Sequence, residues 1–349
     1  MGQKRIAVVT SDVPFVEGGH LIIARSTVRA LKEKGYEADL VLTPQNRFGR
    51  VFQAYLATRL IDVAEDGLGR GIDQVISLRF PSFAVKHPVH VCWLNHRLRE
   101  YYDLWESYAA SLSFKTRFKE QIKRAMLHKL DRRLLTRNVT RLFVQSGTIQ
   151  DRLKTWGNIP SEVLYPPPPQ RPYRTDGYGD FILAVSRLQR LKRLDLLVEA
   201  FASIRNKNLK AVIIGDGPEQ TSLERRIREL DLAGRISLIG STDEESLLDY
   251  YAGCRAVFFS PFHEDYGFIT VEAFASGKAV LTTSDSGGPA ELVRDGESGF
   301  VVPADAKAVA ARLDELAEDK ALAEKMGQSG RAFVSGLSWD RAVEKLVIA

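Results

Sequence analysis

The chain has 349 residues and a mass of 39.1 kDa, a length that suits two domains of ordinary size. Hydrophobic residues at 44% and charged residues at 27% sit at globular values, which excludes disorder, collagen and a disulfide scaffold. The formal net charge of +5 hides an asymmetry, because residues 1–170 hold 26 Lys/Arg against 16 Asp/Glu and residues 171–349 hold 23 against 28.

In chain order, Ile6 to Thr10 reads as a buried strand, followed by a loop that carries Gly18-Gly19. A helix through Leu31 stops near Gly35, and a second strand runs from Ala38 to Leu42, giving a β-loop-α-β unit. The apolar run at the start is too short for a secretory signal, so the expected location is the cytoplasm. No apolar run approaches the roughly 20 residues that a spanning helix needs. Strands follow at Gln74–Ser77, His90–Leu94 and Arg141–Gln145. Cys92 and Cys254 belong to no Cys-x-x-Cys pattern and read as buried thiols in a reducing compartment.

Residues 97–141 hold 12 basic and 5 acidic side chains. Within them Phe114, Phe118, Ile122, Met126, Leu130 and Leu134 recur every four positions, which predicts a helix with an apolar stripe. The simplest reading turns this stripe toward the core and leaves the lysines and arginines in solvent. The second lays an amphipathic helix on an anionic membrane surface. No nucleic-acid motif is present, and nucleic acid is not an expected partner.

Tyr165-Pro166-Pro167-Pro168-Pro169 cannot be helical and marks a domain boundary. We expect domains at 1–168 and 169–336, with 337–349 packing back on the first. Past the boundary the alternation restarts, with strands at Phe181–Val185, Lys210–Ile214, Ile236–Ile239, Ala256–Ser260, Ala279–Thr282 and Gly299–Val302. Helices are predicted between them, then one over 305–327 and a last one after Ser338. Alternating strands and helices in both halves predict an α/β protein of two facing doubly wound parallel sheets, with ligands at the carboxyl ends of the strands, in the cleft between domains.

The most specific segment is His263-Glu264-Asp265-Tyr266-Gly267-Phe268-Ile269-Thr270-Val271-Glu272. Gly267 lets backbone approach a ligand, and the N–H groups of Phe268 and Ile269 would open a helix N-terminus, a ready anion site. Glu272 would then reach a ribose and Glu264 the hydroxyls of a sugar.

These residues resemble the retaining glycosyltransferases of family 4, which have the GT-B fold of two Rossmann-like domains. The resemblance covers nearly the whole chain. It rests on Val185-Ser186-Arg187-Leu188 with Lys192, on Gly215-Asp216-Gly217-Pro218, on Glu264 to Glu272, and on Gly287-Gly288-Pro289-Ala290-Glu291. In the first half it rests on Gly18-Gly19 and on Asn95 to Trp105, which is similar to a stretch of the bacterial mannosyltransferase-like branch that builds surface polysaccharide and lipopolysaccharide. Arg97-Leu98 stands where the most familiar members have an aromatic-proline pair.

The resemblance implies a donor nucleotide-sugar, GDP-mannose first and a UDP-sugar second, and a glycan or lipid-linked acceptor. It implies catalytic roles for His96, near the sugar O6, for Arg187 and Lys192 on the departing diphosphate, and for Glu264 on the sugar. Gly18, Gly19, Ile239, Gly240, Tyr266, Gly267, Phe268, Ile269 and Glu272 would bind the nucleotide-sugar. No Asp-x-Asp occurs in the chain, so a reaction without metal or other cofactor is expected. The alternative readings are a nucleotide-sugar epimerase and a non-catalytic subunit that binds nucleotide-sugar. A dehydrogenase is disfavoured, because the first turn lacks Gly-x-Gly-x-x-Gly.

Overall fold

The computed structural model describes residues 3–12, 18–44 and 50–348. The chain forms two compact units, Met1–Pro169 with Ser338–Ala349, and Gln170–Leu337. Each is built on a six-stranded, wholly parallel sheet.

Unit 1 contains β1 (Arg5–Asp12), α1 (Gly19–Glu33), β2 (Glu37–Pro44), α2 (Val51–Leu60), β3 (Gln74–Ser77), β4 (His90–Leu94), α3 (Trp105–Ala110), α4 (Phe114–Arg137), β5 (Arg141–Val144), α5 (Gly147–Thr155) and β6 (Glu162–Val163). Its sheet order is β2-β1-β3-β4-β5-β6. The continuous apolar run Ile6-Ala7-Val8-Val9 is buried because β1 is flanked by β2 and β3 and covered on both faces. Crossovers leave β1 in opposite directions, so the switch point of this sheet lies between β1 and β3.

Unit 2 contains β7 (Phe181–Val185), α6 (Leu194–Ser203), β8 (Lys210–Ile214), α7 (Gln220–Glu229), β9 (Ile236–Leu238), α8 (Glu244–Gly253), β10 (Ala256–Phe258), α9 (Phe268–Ala275), β11 (Ala279–Thr283), α10 (Gly288–Leu292), β12 (Gly299–Val302), α11 (Ala306–Glu318) and α12 (Lys320–Ser335). The order β12-β11-β10-β7-β8-β9 puts its switch point between β7 and β10. The single helix predicted over 305–327 is two helices. Asp319 leaves helical geometry at φ −111°, ψ 92°, and its carboxylate caps the next helix by accepting from the Leu322 N–H at 2.8 Å. The chain's last helix, α13 (Trp339–Leu346), belongs to unit 1. There Trp339 Nε1 donates to Pro168 O at 3.0 Å, its ring meets Trp93 edge-on, and buried Gln74 donates to Leu346 O and accepts from Ile348 N.

The core-facing reading of the α4 stripe fails over most of its length. Phe114, Phe118, Ile122 and Met126 are 87, 64, 51 and 54% exposed, whereas Leu127, Leu134 and Leu135 are buried. A four-residue step turns a helix by slightly more than one revolution, so the row drifts by about 40° per step and roughly 200° from Phe114 to Leu134. The row therefore winds from the outer side of α4 to the core side.

Candidate functional site

In unit 2 the loops that leave the carboxyl ends of the strands are tied to each other mainly through backbone. After β7, Ser186 N donates to Ile214 O and Leu188 N to Asp216 O. Gly215 has φ +130°, and a Cβ there would lie 2.0 Å from Ser186 O; one at Gly217 would lie 2.3 Å from Leu188 O. After β9, Gly240 (φ +72°) accepts from Gly215 N, and Ser241 N donates to the Asp216 carboxylate at 3.1 Å. Ile239, beside it, is 37% exposed.

On the other side of the switch point, Glu264 N donates to Ser286 O at 2.8 Å and Gly288 N to Glu264 O at 3.0 Å. Gly287 has φ +71°, with Glu264 O 2.5 Å from where its Cβ would be. Gly267 (φ +87°) closes the loop against Pro289 and Phe259, then starts α9 with no side-chain cap. The N-terminus of α9 thus opens beside the switch point, the place where open α/β sheets receive ligands.

Lys192 and Glu264 meet there. Lys192 Nζ lies 2.7 Å from Glu264 Oε2 and 5.4 Å from the centre of the Phe259 ring. Phe262 N donates to Leu191 O at 2.7 Å, which fixes the β10 loop on the turn that carries Lys192. Arg187 is exposed on the same β7 loop. Phe268 and Ile269 form the first turn of α9 and are half-buried.

Two expected ligand groups face inward instead. Tyr266 is buried with its ring edge-on to Phe268, and Gly288 packs on its backbone, so the phenol does not line an open surface. Glu272, 4% exposed, holds Arg171 Nη1 at 2.7 Å and accepts from Tyr173 Oη at 3.3 Å and Tyr251 Oη at 3.2 Å. Burial pushes its carboxyl above the usual range, and Arg171 and the two phenols pull it back.

In unit 1, Gly18 and Gly19 stand at the start of α1, whose first turn has neither an acidic residue nor a side-chain cap. Gly18 is extended at φ −151°. His96 follows β4; its Nδ1 lies 2.7 Å from Arg97 O, and its own carbonyl accepts from Phe80 N at 3.1 Å. Ser11 Oγ in turn donates to Phe80 O at 2.9 Å, which links the end of β1 to the His96 loop. The segment after His96 is held by buried side chains. Tyr102 Oη donates to Asp131 at 2.6 Å, Tyr55 Oη donates to the same carboxylate, and Arg97 stacks 3.7 Å above the Tyr102 ring.

Comparison with known proteins bears mainly on unit 2. Residues 171–333 match the family model "Glycosyl transferases group 1". Over that stretch unit 2 is similar to the group 1 glycosyltransferases. The D-inositol 3-phosphate glycosyltransferase of Nocardia farcinica is 32% identical over 181 residues, 48% of this chain and 40% of that protein. The chain thus spans well under half the length of that relative. Among solved structures, sucrose-phosphate synthase from Thermosynechococcus elongatus superposes with a TM-score of 0.77 at 19% identity, covering 98% of this chain and 97% of that one. HepE of Anabaena, solved with UDP and glucose, gives 0.71 at 17% identity, with 97% and 98% covered. Both likenesses concern the fold, two Rossmann-like α/β domains of the GT-B kind.

Sequence reasoning missed the residue that clamps the switch-point loops of unit 2. Arg193, left-handed at φ +50°, places its guanidinium on Asp285 at 2.8 Å, on Thr283 Oγ1 at 2.6 Å and on the Ser260 and Pro261 carbonyls. These bonds hold the Asp285 carboxyl below its usual range. Asp216 was visible only as part of a glycine turn, and its bond to Ser241 gives it a loop-joining role. Among the described residues no three His, Cys, Asp or Glu side chains cluster as metal ligands, and no helix is long and apolar enough to cross a membrane.

Proposed function

We propose that the chain is a retaining glycosyltransferase that moves a hexose from a nucleotide-sugar to a glycan or lipid-linked acceptor at the membrane surface, in the synthesis of bacterial cell-surface polysaccharide. The observation that carries this reading is the Lys192–Glu264 pair at the switch point of unit 2, 2.7 Å apart beside an uncapped helix N-terminus. A cation next to open N–H groups suits a diphosphate, and a carboxylate beside them suits sugar hydroxyls. The UDP and glucose bound by HepE belong to the same ligand class.

In this account Arg187 and Lys192 stabilise the negative charge that grows on the departing diphosphate, while Phe268 and Ile269 donate N–H groups to it. Ile239 and Gly240 flank the base, and Glu264 orients the sugar. The bond from the anomeric carbon to the acceptor oxygen forms as the bond to phosphate breaks, and the acceptor's proton passes to the leaving phosphate oxygen. In unit 1, His96 and the Gly18-Gly19 helix start stand at the carboxyl ends of β4 and β1. Glu272 would accept from a ribose hydroxyl through the remaining lone pair of Oε2, which among the described residues holds only Tyr251 as a hydrogen-bond donor. Cationic side chains replace a metal, so the reaction proceeds in EDTA.

GDP-mannose is the favoured donor and a UDP-sugar the second. Incubation of the protein with each labelled donor and a lipid extract tests the reading. A glycosylated product with the donor's anomeric configuration is expected. Hydrolysis alone, or an inverted anomer, would overturn it.

A further inference from the structure

The outer side of α4 presents apolar and cationic side chains and no carboxylate. Phe114, Phe118, Ile122 and Met126 stand exposed along its first half, flanked by exposed Lys115, Lys119, Lys129, Arg132 and Arg133. The helix has two acidic residues, and both turn inward. Glu120 pairs with Lys123 at 2.7 Å and accepts from Tyr101 Oη at 2.7 Å, and Asp131 is buried on Tyr55 and Tyr102. Turning every carboxylate away from one side of a helix that exposes two phenylalanines leaves a convex ridge from Phe114 to Arg133, roughly 30 Å long at 1.5 Å per residue.

The position of this ridge is set by topology. Arg141 opens β5 just after the C-terminus of α4, so that end of the helix lies at the amino ends of the parallel strands. Phe114 to Met126 therefore lie toward the carboxyl ends, where His96 follows β4. The inner side of the same stretch grips the His96 segment. Arg124 Nε donates to Tyr101 O at 2.9 Å, His128 Nε2 lies 2.8 Å from the same carbonyl, and the His128 ring stacks on Tyr102 at 4.3 Å.

We infer that the outer face of α4 is a docking surface for an anionic lipid bilayer, with the helix lying in the interface plane and the four apolar side chains inserted among the headgroups. A convex row of aromatic and aliphatic side chains flanked by long cationic ones matches a planar interface, where the alkyl stems lie along apolar surface and the charges reach lipid phosphates. An acidic protein would offer the charge, but a convex ridge needs a groove to receive it. The inference deepens the proposed function and rests on it for one point, that the acceptor is presented from the membrane. Docking on α4 would bring the bilayer to the His96 end of unit 1.

The test uses the full chain and sedimentation with vesicles of phosphatidylcholine alone or with phosphatidylglycerol. The wild-type protein is expected to pellet with the anionic vesicles at low salt and about tenfold less with neutral ones. The quadruple variant Phe114→Ser, Phe118→Ser, Ile122→Ser, Met126→Ser should lose about tenfold or more of this binding, because its side chains are exposed and leave the core intact. Phe118→Cys carrying a polarity-sensitive fluorophore reads insertion directly, since Cys92 and Cys254 are both buried. Its emission should shift to the blue on anionic vesicles. A wild-type protein left in the supernatant, an unaffected quadruple variant, an unshifted label, or a ridge-dependent dimer without lipid would each overturn the inference. Calorimetry with GDP and UDP on the quadruple variant separates the two readings, because nucleotide binding in unit 2 should be unchanged whether or not docking fails.

Discussion

The two units solve the same problem, fixing loops at the carboxyl ends of a parallel sheet, by different means. Unit 2 joins its loops mainly through backbone, at glycines with positive φ whose missing Cβ is replaced by a neighbour's carbonyl, as Ser186 O meets Gly215 and Glu264 O meets Gly287, with Arg193 as a long side-chain clamp. Unit 1 uses side chains gathered from distant positions, with Tyr55, Arg97, Tyr102 and Asp131 forming one buried cluster beneath the His96 segment. A backbone-joined site tolerates almost no substitution at its glycines. A side-chain-joined segment depends on a few buried polar groups and can change its surface freely.

The sharpest break between the units is a pair of alanines. Gly287→Ala forces a Cβ to 2.5 Å from Glu264 O at φ +71°, and it should destabilise unit 2 by about 4 kcal/mol or more. Among the described residues Gly18→Ala meets only the His20 ring, at 3.0 Å in extended backbone, and should cost unit 1 under about 1 kcal/mol. Denaturant titration of the two variants measures both. Equal losses would remove the contrast.

Glu272→Ala leaves Arg171 and two phenols without their shared acceptor and should lower stability by about 3 kcal/mol, seen in the same titration. Acid should act first on unit 1. Buried His90 sits between Ser77 Oγ at 2.7 Å and Asn138 O at 3.0 Å, with His87 nearby, and burial lowers its pKa from 6.5 to about 4. The unfolded chain takes up that proton below pH 6.5 and the folded one only near 4, so stability falls as pH drops through this window. The loss reaches about 3 kcal/mol, and His90→Gln should flatten the slope between pH 6.5 and 4. A smaller effect than either belongs to Tyr55→Phe, which removes one of two donors to Asp131 and should cost about 1–2 kcal/mol in thermal melts.

The same contrast explains what the sequence could show. Continuous apolar runs such as Ile6–Val9 and Ile182–Ala184 announced strands buried on both faces, and glycine turns after them announced the loops of unit 2. Those glycines are legible because a local backbone conformation demands them. The Arg193 clamp was not, since nothing local signals a left-handed arginine whose partners, Ser260, Thr283 and Asp285, lie 67 to 92 positions away. Nor was the inward turn of Tyr266 and Glu272, whose side chains meet Phe268 and Arg171. In α4 the four-residue recurrence was read as a single face, and the helix's own pitch carried the row around to solvent.

The central claim is that the switch point of unit 2 binds the diphosphate of a nucleotide without metal. Calorimetric titration with GDP, UDP and dTDP in EDTA, on the wild-type protein and on Arg187→Ala, tests it most directly, since Arg187 is exposed and its loss leaves the fold intact. The account predicts an affinity on the order of micromolar for one nucleotide, abolished or weakened at least about tenfold in the variant. Absence of binding to all three, or binding that the variant retains in full, would contradict it.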